Sequence, residues 1–244
     1  PIDPAAFAED WDVLVRELMQ KTYELGDGSG RHMKLRAMAC DSGGAEGVTG
    51  HAYNLWRRLK AKQDGSHQRF ILVKGEPSRS APRVRTTWPD SSQKDKRATA
   101  RGDVPVVLLN SNSLKDLVFL MLSRTVAPEP IEGESGGKMR YPDWLEKWFY
   151  IQLTSEIRSA KGWENTRKRR NESLDLSYYA LGATLRPVEN GVPFVHFGLD
   201  RLKETTSWFC DWSENEFVFT PGKTESGPAV KKKPTIAELA GKLA

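Results

Sequence analysis

The sequence predicts an α/β fold, because three short apolar strand patterns occur among longer helical patterns in a chain of 244 residues. Residues 33–40 carry apolar side chains on both faces, as expected of a central strand that is covered on both sides. Residues 69–74 and 104–109 are two further runs that are rich in β-forming residues. A chain of this length buries a sizeable core without disulfides or structural metals. We therefore predict one main domain with extensions.

Apolar residues at helical spacing predict the elements around these strands. We expect helices over residues 5–24, 51–62, 113–123, 143–156 and 171–185. Ser113 is expected to cap its helix. Short strands are expected at 84–88 and 216–220, and a hairpin at 162–164. The resulting division is a linker and helix (1–32), a core (33–186), a C-terminal extension of the core (187–220) and a basic flexible tail (221–244).

Composition excludes several classes of protein. Charged residues make up 28% of the chain and the mean hydropathy is −0.58. No apolar run reaches the roughly 18 residues of a membrane span, and the first residues are not a secretory signal. Cys40 and Cys210 are the only two cysteines and lie far apart, which favours a reduced cytosolic protein and excludes a CxxC zinc site.

Basic residues are clustered rather than evenly spread. The net charge is +5, the sequence pI is about 9.1, and the blocks fall at 94–101, 167–170 and 231–233. Such clusters favour a polyanionic partner, with nucleic acid first. The candidate DNA-binding residues are Lys94, Lys96, Arg97, Arg101, Arg167, Lys168, Arg169 and Arg170.

Acidic residues are placed where they can meet. Asp41 follows the first strand and precedes Ser42-Gly43-Gly44, which permits a tight turn. Glu172 and Asp175 are three residues apart on a predicted helix, and therefore share one face. Gathered carboxylates are the ligands that Mg²⁺ or Mn²⁺ requires, and an adjacent basic block suits nucleic-acid backbone chemistry. The alternative is a solvated helix face.

Five motifs in order resemble one family. They are AMACDSGG (37–44), FILVKG (70–75), NSLKD (112–116), QLTSE (152–156) and RRNESLD (169–175). With these motifs the chain resembles the nuclease domain of the large terminase subunit of tailed double-stranded DNA phages, in the lambda-like branch. The resemblance covers roughly residues 1–186, and the lead-in with Trp11 and Thr22-Tyr23 also fits it.

The resemblance implies an RNase H-like fold, with a central mixed sheet flanked by helices. It also implies an endonuclease that cuts concatemeric double-stranded viral DNA with two metal ions, Mg²⁺ or Mn²⁺. Asp41 and Asp175 carry over as metal ligands. The second acid stays open among Glu172, Glu156 and Glu76, and Asn112 ends another strand. Lys74 stands where related chains have an acid, and either contacts the scissile phosphate or pairs with Asp41.

The resemblance also implies partners. The sequence contains no GxxxxGKS or GxxxxGKT loop, so the packaging ATPase is expected in an upstream domain of the same polypeptide. Double-stranded DNA, the small terminase subunit and the portal protein are the other expected partners, in the host cell cytoplasm and without a membrane. The tail at 221–244 is expected to dock on the portal. Two alternatives stay open, a non-catalytic DNA-binding or portal-docking module and another RNase H-like nuclease such as a junction resolvase or transposase.

Overall fold

The structure is a computed structural model that describes residues 2–35, 37–89, 102–126, 139, 141–185, 213 and 218–222. It divides into two compact units, Pro1–Lys21 with Leu35–Thr205, and Thr22–Lys34 with Thr206–Ala244. Within the described ranges, no helix combines the length and apolar character needed to cross a bilayer.

The elements follow one another in this order along the chain. A 3₁₀ turn (Glu9–Trp11) and a π-helical segment (Leu14–Met19) come first. The strands are β1 (Thr22–Glu24), β2 (His32–Lys34), β3 (Met38–Asp41), β4 (Phe70–Glu76), β5 (Val84–Thr87), β6 (Val106–Asn110), β7 (Ile157–Ser159), β8 (Gly162–Glu164) and β9 (Val218–Phe219). The helices are α1 (Val48–Ala61), α2 (Ser66–Arg69), α3 (Ser111–Val126), α4 (Lys147–Leu153) and α5 (Glu172–Thr184).

The first unit is built on a four-stranded sheet with the order β3-β4-β6-β5. Strands β3, β4 and β6 are parallel, and β5 is antiparallel to β6. Alternate residues of β4 face opposite sides: Phe70 and Leu72 pack in the core with α1, whereas Ile71 and Val73 pack in the core with α3 and α5. The fold is therefore a mixed sheet flanked by helices, consistent with an RNase H-like nuclease fold, as expected.

The second unit contains a small antiparallel sheet. β1 pairs with β2, and β9 pairs with the other edge of β2. The ammonium of Lys34 lies 4.9 Å from the centre of the Phe219 ring. A strand was expected at 216–220, and β9 confirms it.

Two predicted elements are wrong in detail. The apolar run at 33–40 is not one strand, because β2 ends at Lys34 and β3 begins at Met38 in a different sheet. Among the residues that the structure describes, β3 pairs with β4 alone, at the edge of the sheet. Its first three residues are half-buried and Asp41 is exposed, so the strand is not covered on both faces. The predicted helix at 5–24 is replaced by the two short helical segments and β1. Apolar spacing does not reveal which strand a segment pairs with.

The structure also differs from the sequence-based expectations in smaller details. Helix α3 begins two residues before Ser113, and the Asn110 side chain accepts the backbone N–H of Ser113 at 3.1 Å, so Asn110 acts as the cap. Leu176, on the largely apolar helix α5, is 59% exposed. The blocks at 94–101 and 231–233 lie outside the described residues, as do most of the extension at 187–220 and most of the tail at 221–244.

Candidate active site

The carboxyl ends of the parallel strands meet at one edge of the sheet. In the register of the sheet Asp41 lies beside Val73, and Glu76 lies beside Asn110. In open α/β sheets this edge is where ligands bind. The first turns of α3 and α5 also reach it, because α3 follows β6 without a loop and α5 packs against β3.

Asp41 is held in place by a tight turn. Its Oδ1 accepts the backbone N–H of Gly43 at 2.8 Å, and a Cβ at Gly43 would lie only 3.2 Å from that oxygen. Ser42 is fully buried and donates its backbone N–H and its hydroxyl to the Val73 carbonyl, at 2.9 and 3.1 Å. The hydroxyl of Tyr179 donates to Asp41 Oδ2 at 3.1 Å. Asp41 itself is exposed, so one end of a rigid turn presents a carboxylate to solvent.

Asp175 comes from the first turn of α5. Its Oδ2 accepts from the Asn171 amide at 3.1 Å, and its side chain is 31% exposed. Helix α5 lies close against the sheet at Gly182, where a Cβ would come within 2.6 Å of the Leu109 side chain. This close approach fixes the position of Asp175 relative to the strand ends.

A buried ion pair lies beside Asp175. The Lys115 ammonium, on α3, contacts Glu156 Oε1 and Oε2 at 2.8 and 2.9 Å, and Asp175 Oδ1 at 3.2 Å. Asn171 donates to Glu156 Oε1 at 2.7 Å. The side chains of Lys115 and Glu156 are 9% and 5% exposed. The ammonium also lies 5.2 Å from the centre of the Tyr178 ring.

The pKa values show how these groups influence one another. Burial is the main cause that raises the pKa of Asp175; the Lys115 cation opposes this rise, whereas the negative charges of Glu156 and Asp41 add to it. The negative charge of Asp41 thus acts on Asp175 in the same direction as that of Glu156. Burial also raises the pKa of Tyr179, so its hydroxyl stays protonated at neutral pH and can donate to Asp41.

The other predicted acids lie in different surroundings. Glu172 is on the surface and pairs with Arg170 at 3.1 Å, while Asp175 is held by Asn171 and Lys115. Of the two acids expected to share a helix face, the structure thus places only Asp175 in the cluster. Glu76 ends β4 in an ion pair with Arg85 at 2.8 Å.

Lys74 and Asn112 lie near the same sheet edge. Lys74 is half-buried in β4 and lies beside Leu108 in the register with β6. The Asn112 side chain accepts the backbone N–H of Trp163 at 3.0 Å and donates to the Pro77 carbonyl at 3.2 Å. Gly162 leaves room for it, with φ of +127° and a would-be Cβ at 2.4 Å from Asn112 Oδ1. Asn112 therefore fastens the β7–β8 hairpin to α3.

The basic run at 167–170 leads directly into α5. Arg167, Lys168, Arg169 and Arg170 are all exposed. The Asn165 side chain accepts the backbone N–H of Arg169 at 2.9 Å and so shapes the turn that presents the run. The other candidate DNA-binding residues, Lys94, Lys96, Arg97 and Arg101, lie outside the described residues.

Sequence reasoning missed Lys115, Asn171 and Tyr179 as parts of the cluster. Two signals were present. Lys115 is a lone cation in the apolar helix SLKDLVFLML, and Asn171 immediately precedes the acidic first turn of α5. A cation on an apolar helix face requires a buried carboxylate partner, but the sequence does not identify that partner as Glu156, which is 41 residues away.

The comparison with protein families agrees with this geometry. Residues 2–190 match the family described as "Terminase large subunit gpA, endonuclease domain". No curated protein and no solved structure matched the chain. The matched range contains β3, α3, Glu156 and α5, which carry the whole acidic cluster. The chain therefore belongs to the endonuclease-domain family of the terminase large subunit gpA, whose role is that of a nuclease in DNA packaging.

Proposed function

We propose that this domain is a Mg²⁺- or Mn²⁺-dependent endonuclease that cuts concatemeric double-stranded DNA, with Asp41 and Asp175 as metal ligands. The observation that carries the proposal is geometric: Asp41 ends β3 at the carboxyl edge of the parallel strands, and Tyr179, one helical turn after Asp175 on α5, donates to Asp41 Oδ2 at 3.1 Å. Two neighbouring carboxylates form a site that a divalent ion stabilises, and the Lys115 ammonium at Asp175 is shared with Glu156.

The donor set fits a magnesium-type ion. Mg²⁺ is usually bound by one or two carboxylates, with water and substrate phosphate oxygens filling the remaining positions. In the part of the chain that the structure describes, no three acidic, His or Cys side chains are grouped closely enough to hold one ion. Asp41 and Asp175 are thus the protein ligands we propose, and Glu156 would join them only by leaving Lys115.

The chain's own residues would prepare the site for phosphodiester hydrolysis. The ions that Asp41 and Asp175 would hold would, when bound, supply an activated water and stabilise the leaving 3′ oxygen. Tyr179 orients Asp41, and Asn171 orients Asp175. The exposed run at 167–170 would hold the DNA backbone beside α5 through phosphate contacts, which carry no sequence information.

The partners implied by the family are part of the proposal. An upstream ATPase domain would drive packaging, the small terminase subunit would supply the choice of cut site, and the tail at 221–244 would dock on the portal. Deleting residues 221–244 should leave cleavage of naked DNA intact and abolish portal binding. If the truncated protein stays folded but no longer cuts, the tail belongs to the nuclease site.

Cleavage of a supercoiled plasmid tests the proposed activity. We expect nicked and linear products with Mn²⁺ or Mg²⁺ and none with EDTA. Asp41→Asn and Asp175→Asn should each lower the rate by about 100-fold or more, because each removes a ligand of the reacting ions. Asp64→Asn, which changes an exposed carboxylate before α2, is the matched control and should cut normally. Equal cleavage by the Asp41 and Asp175 variants would refute the assignment.

Two further substitutions identify the second acid. If Glu156→Gln loses cleavage while Glu172→Gln retains it, the buried carboxylate is part of the site, and the opposite result assigns the exposed one. The same assay separates the alternatives. No cleavage with Mn²⁺ and unchanged DNA affinity of Asp41→Ala would indicate a binding module. Preference for branched over linear duplex would indicate a resolvase.

A further inference from the structure

Lys115 is a fully satisfied cation at the centre of the acidic cluster. A lysine ammonium has three N–H donors, and the contacts of Lys115 are to three carboxylate oxygens: Glu156 Oε1 and Oε2, and Asp175 Oδ1. The two Glu156 contacts, at 2.8 and 2.9 Å, are shorter than the Asp175 contact at 3.2 Å. Glu156 therefore anchors the ammonium, and Asp175 is its weaker and more exposed partner.

The same Asp175 carboxylate would have to serve an incoming metal ion. Its Oδ1 contacts the ammonium and its Oδ2 accepts from Asn171, so both oxygens are engaged by the protein. A divalent ion that takes Oδ1 would come within a few ångströms of a buried positive charge, which is unfavourable at low local dielectric. The ion and the ammonium therefore compete for one oxygen.

We propose that Lys115 is an internal counter-ion that holds Asp175 in the metal-free protein and releases it when a divalent ion binds, so that Lys115 sets the metal affinity of the site. The proposal rests on Asp175 being a metal ligand, as in the proposed function. On release the ammonium keeps both oxygens of Glu156, and no covalent bond changes. Lys115 is a positioning residue, because it acts on the ion through Asp175.

A double substitution tests this without changing the charge of the cluster. Lys115→Met/Glu156→Gln removes one positive and one negative charge from side chains of similar size, so Asp41 and Asp175 keep the same net surroundings but Asp175 loses its competitor. We expect this variant to bind Mn²⁺ about tenfold more tightly, since a charge-assisted hydrogen bond no longer has to be broken. Isothermal titration of the EDTA-treated full chain measures the affinity, without DNA and without turnover.

The outcomes separate this inference from the proposed function. Affinity in the double variant that is equal to or weaker than wild type would overturn the counter-ion role, and weaker binding would make Glu156 a ligand. Asp175→Asn is the reference: loss of Mn²⁺ binding supports the proposed function, whereas binding like wild type contradicts the proposed function itself. Circular dichroism melting shows that each titrated variant is folded.

A measurement on the wild-type protein keeps the test independent of the folding of any variant. The buried Lys115 ammonium should give a protected ¹⁵Nζ–H signal in a lysine-labelled sample, assigned by its loss in Lys115→Arg. Saturating Mg²⁺ should shift this signal, because the ammonium gives up Asp175. An unchanged signal at saturating Mg²⁺ would overturn the proposal.

Discussion

The two faces of the central sheet differ in the side chains that cover them. The face under α1 is a wholly apolar core of Trp11, Met19, Ala52, Tyr53, Leu55, Trp56, Leu59, Phe70, Leu72, Val104 and Val106. Its charged pairs are only partly covered: the side chains of Arg58 and Asp12, 2.9 Å apart, are almost half exposed, and those of Arg57 and Asp103 are 31% and 25% exposed. The face under α3 and α5 has an apolar core of similar size, but it also contains the Lys115–Glu156 pair. Among the described residues these two are the buried charged side chains.

This contrast shows where the chain accepts a cost in stability. Burying a charged pair is seldom more stabilising than burying apolar side chains of the same volume. The α1 face avoids that cost and mainly stabilises the fold. The α3–α5 face accepts it at one place, where the buried pair adjoins Asp175 at the carboxyl edge of the strands. We interpret the α1 face as support and the α3–α5 face as the chemical face.

The largest expected effect on stability follows from breaking the buried ion pair. Lys115→Met leaves Glu156 and Asp175 without their cation and should lower the free energy of unfolding by about 3–5 kcal/mol. Arg58→Met breaks an exposed pair on the other face and should cost about 1 kcal/mol or less. Urea unfolding in EDTA measures both. Equal losses would show that the buried pair is no more important than a surface pair.

Two core truncations compare the α1 face, which supports the fold, with the α3–α5 face, which carries the proposed site. Leu55→Ala on α1 and Leu174→Ala on α5 each remove a fully buried side chain and should each cost about 2–5 kcal/mol. Well below its melting temperature, the Leu55 variant should cut DNA normally, whereas the Leu174 variant should cut more slowly because Leu174 precedes Asp175. Plasmid cleavage by folded protein checks this. Equal rates would mean that the position of Asp175 does not depend on its core neighbour.

The raised pKa of Asp175 predicts a dependence of stability on pH in metal-free protein. The folded state binds this proton more tightly than the unfolded state, whose pKa is near 3.8. The carboxyl therefore begins to destabilise the fold as pH rises above that value, and the loss is complete above the raised folded pKa. Asp175→Asn lacks this loss, so the free energy of unfolding of wild type minus that of the variant should fall with rising pH. A difference that grows instead contradicts the raised pKa.

The smallest effect concerns DNA binding without cleavage. Changing Arg167, Lys168, Arg169 and Arg170 to Gln should weaken binding to all duplex sequences alike. The slope of log affinity against log salt should become shallower by about 0.9 for each phosphate that the protein no longer neutralises. Fluorescence anisotropy in EDTA measures this. Lys62→Gln, just beyond α1, serves as the control for an exposed cation on the supporting face. Weaker binding to one sequence alone would mean that the basic run reads bases.

Much of the fold was predictable because local patterns determine it. A helix was predicted over residues 51–62, and in α1 the apolar residues at helical spacing, Ala52, Leu55, Trp56 and Leu59, are all buried. Strands β4 and β6 are dense in β-forming residues, and the segment beginning at Gly162 indicated the β7–β8 hairpin. In each case the signal lies within the element or beside it. The family resemblance was likewise carried by short motifs and is confirmed by the match over residues 2–190.

The sequence could not identify which side chains contact each other when they are far apart along the chain. Spacing on a helix groups Glu172 with Asp175, but the carboxylate that shares the Lys115 cation with Asp175 is Glu156, from the segment between α4 and β7. The helix begins with Glu172 facing Arg170 at the surface, and only Asp175, three residues later, reaches the sheet edge. The apolar pattern of residues 33–40 also predicted one strand, where the structure has β2 and β3 in different sheets. Pairing and ion-pair partners depend on tertiary packing, which a local pattern does not encode.

The proposed metal site can be tested directly with a crystal of this domain soaked with Mn²⁺ and measured at a wavelength where manganese scatters anomalously. We predict anomalous density between the carboxylates of Asp41 and Asp175, with the Lys115 ammonium moved off Asp175 and still on Glu156. Density that is absent from this edge of the strands, or that lies at Glu76 or Glu172 instead, would contradict the proposed site.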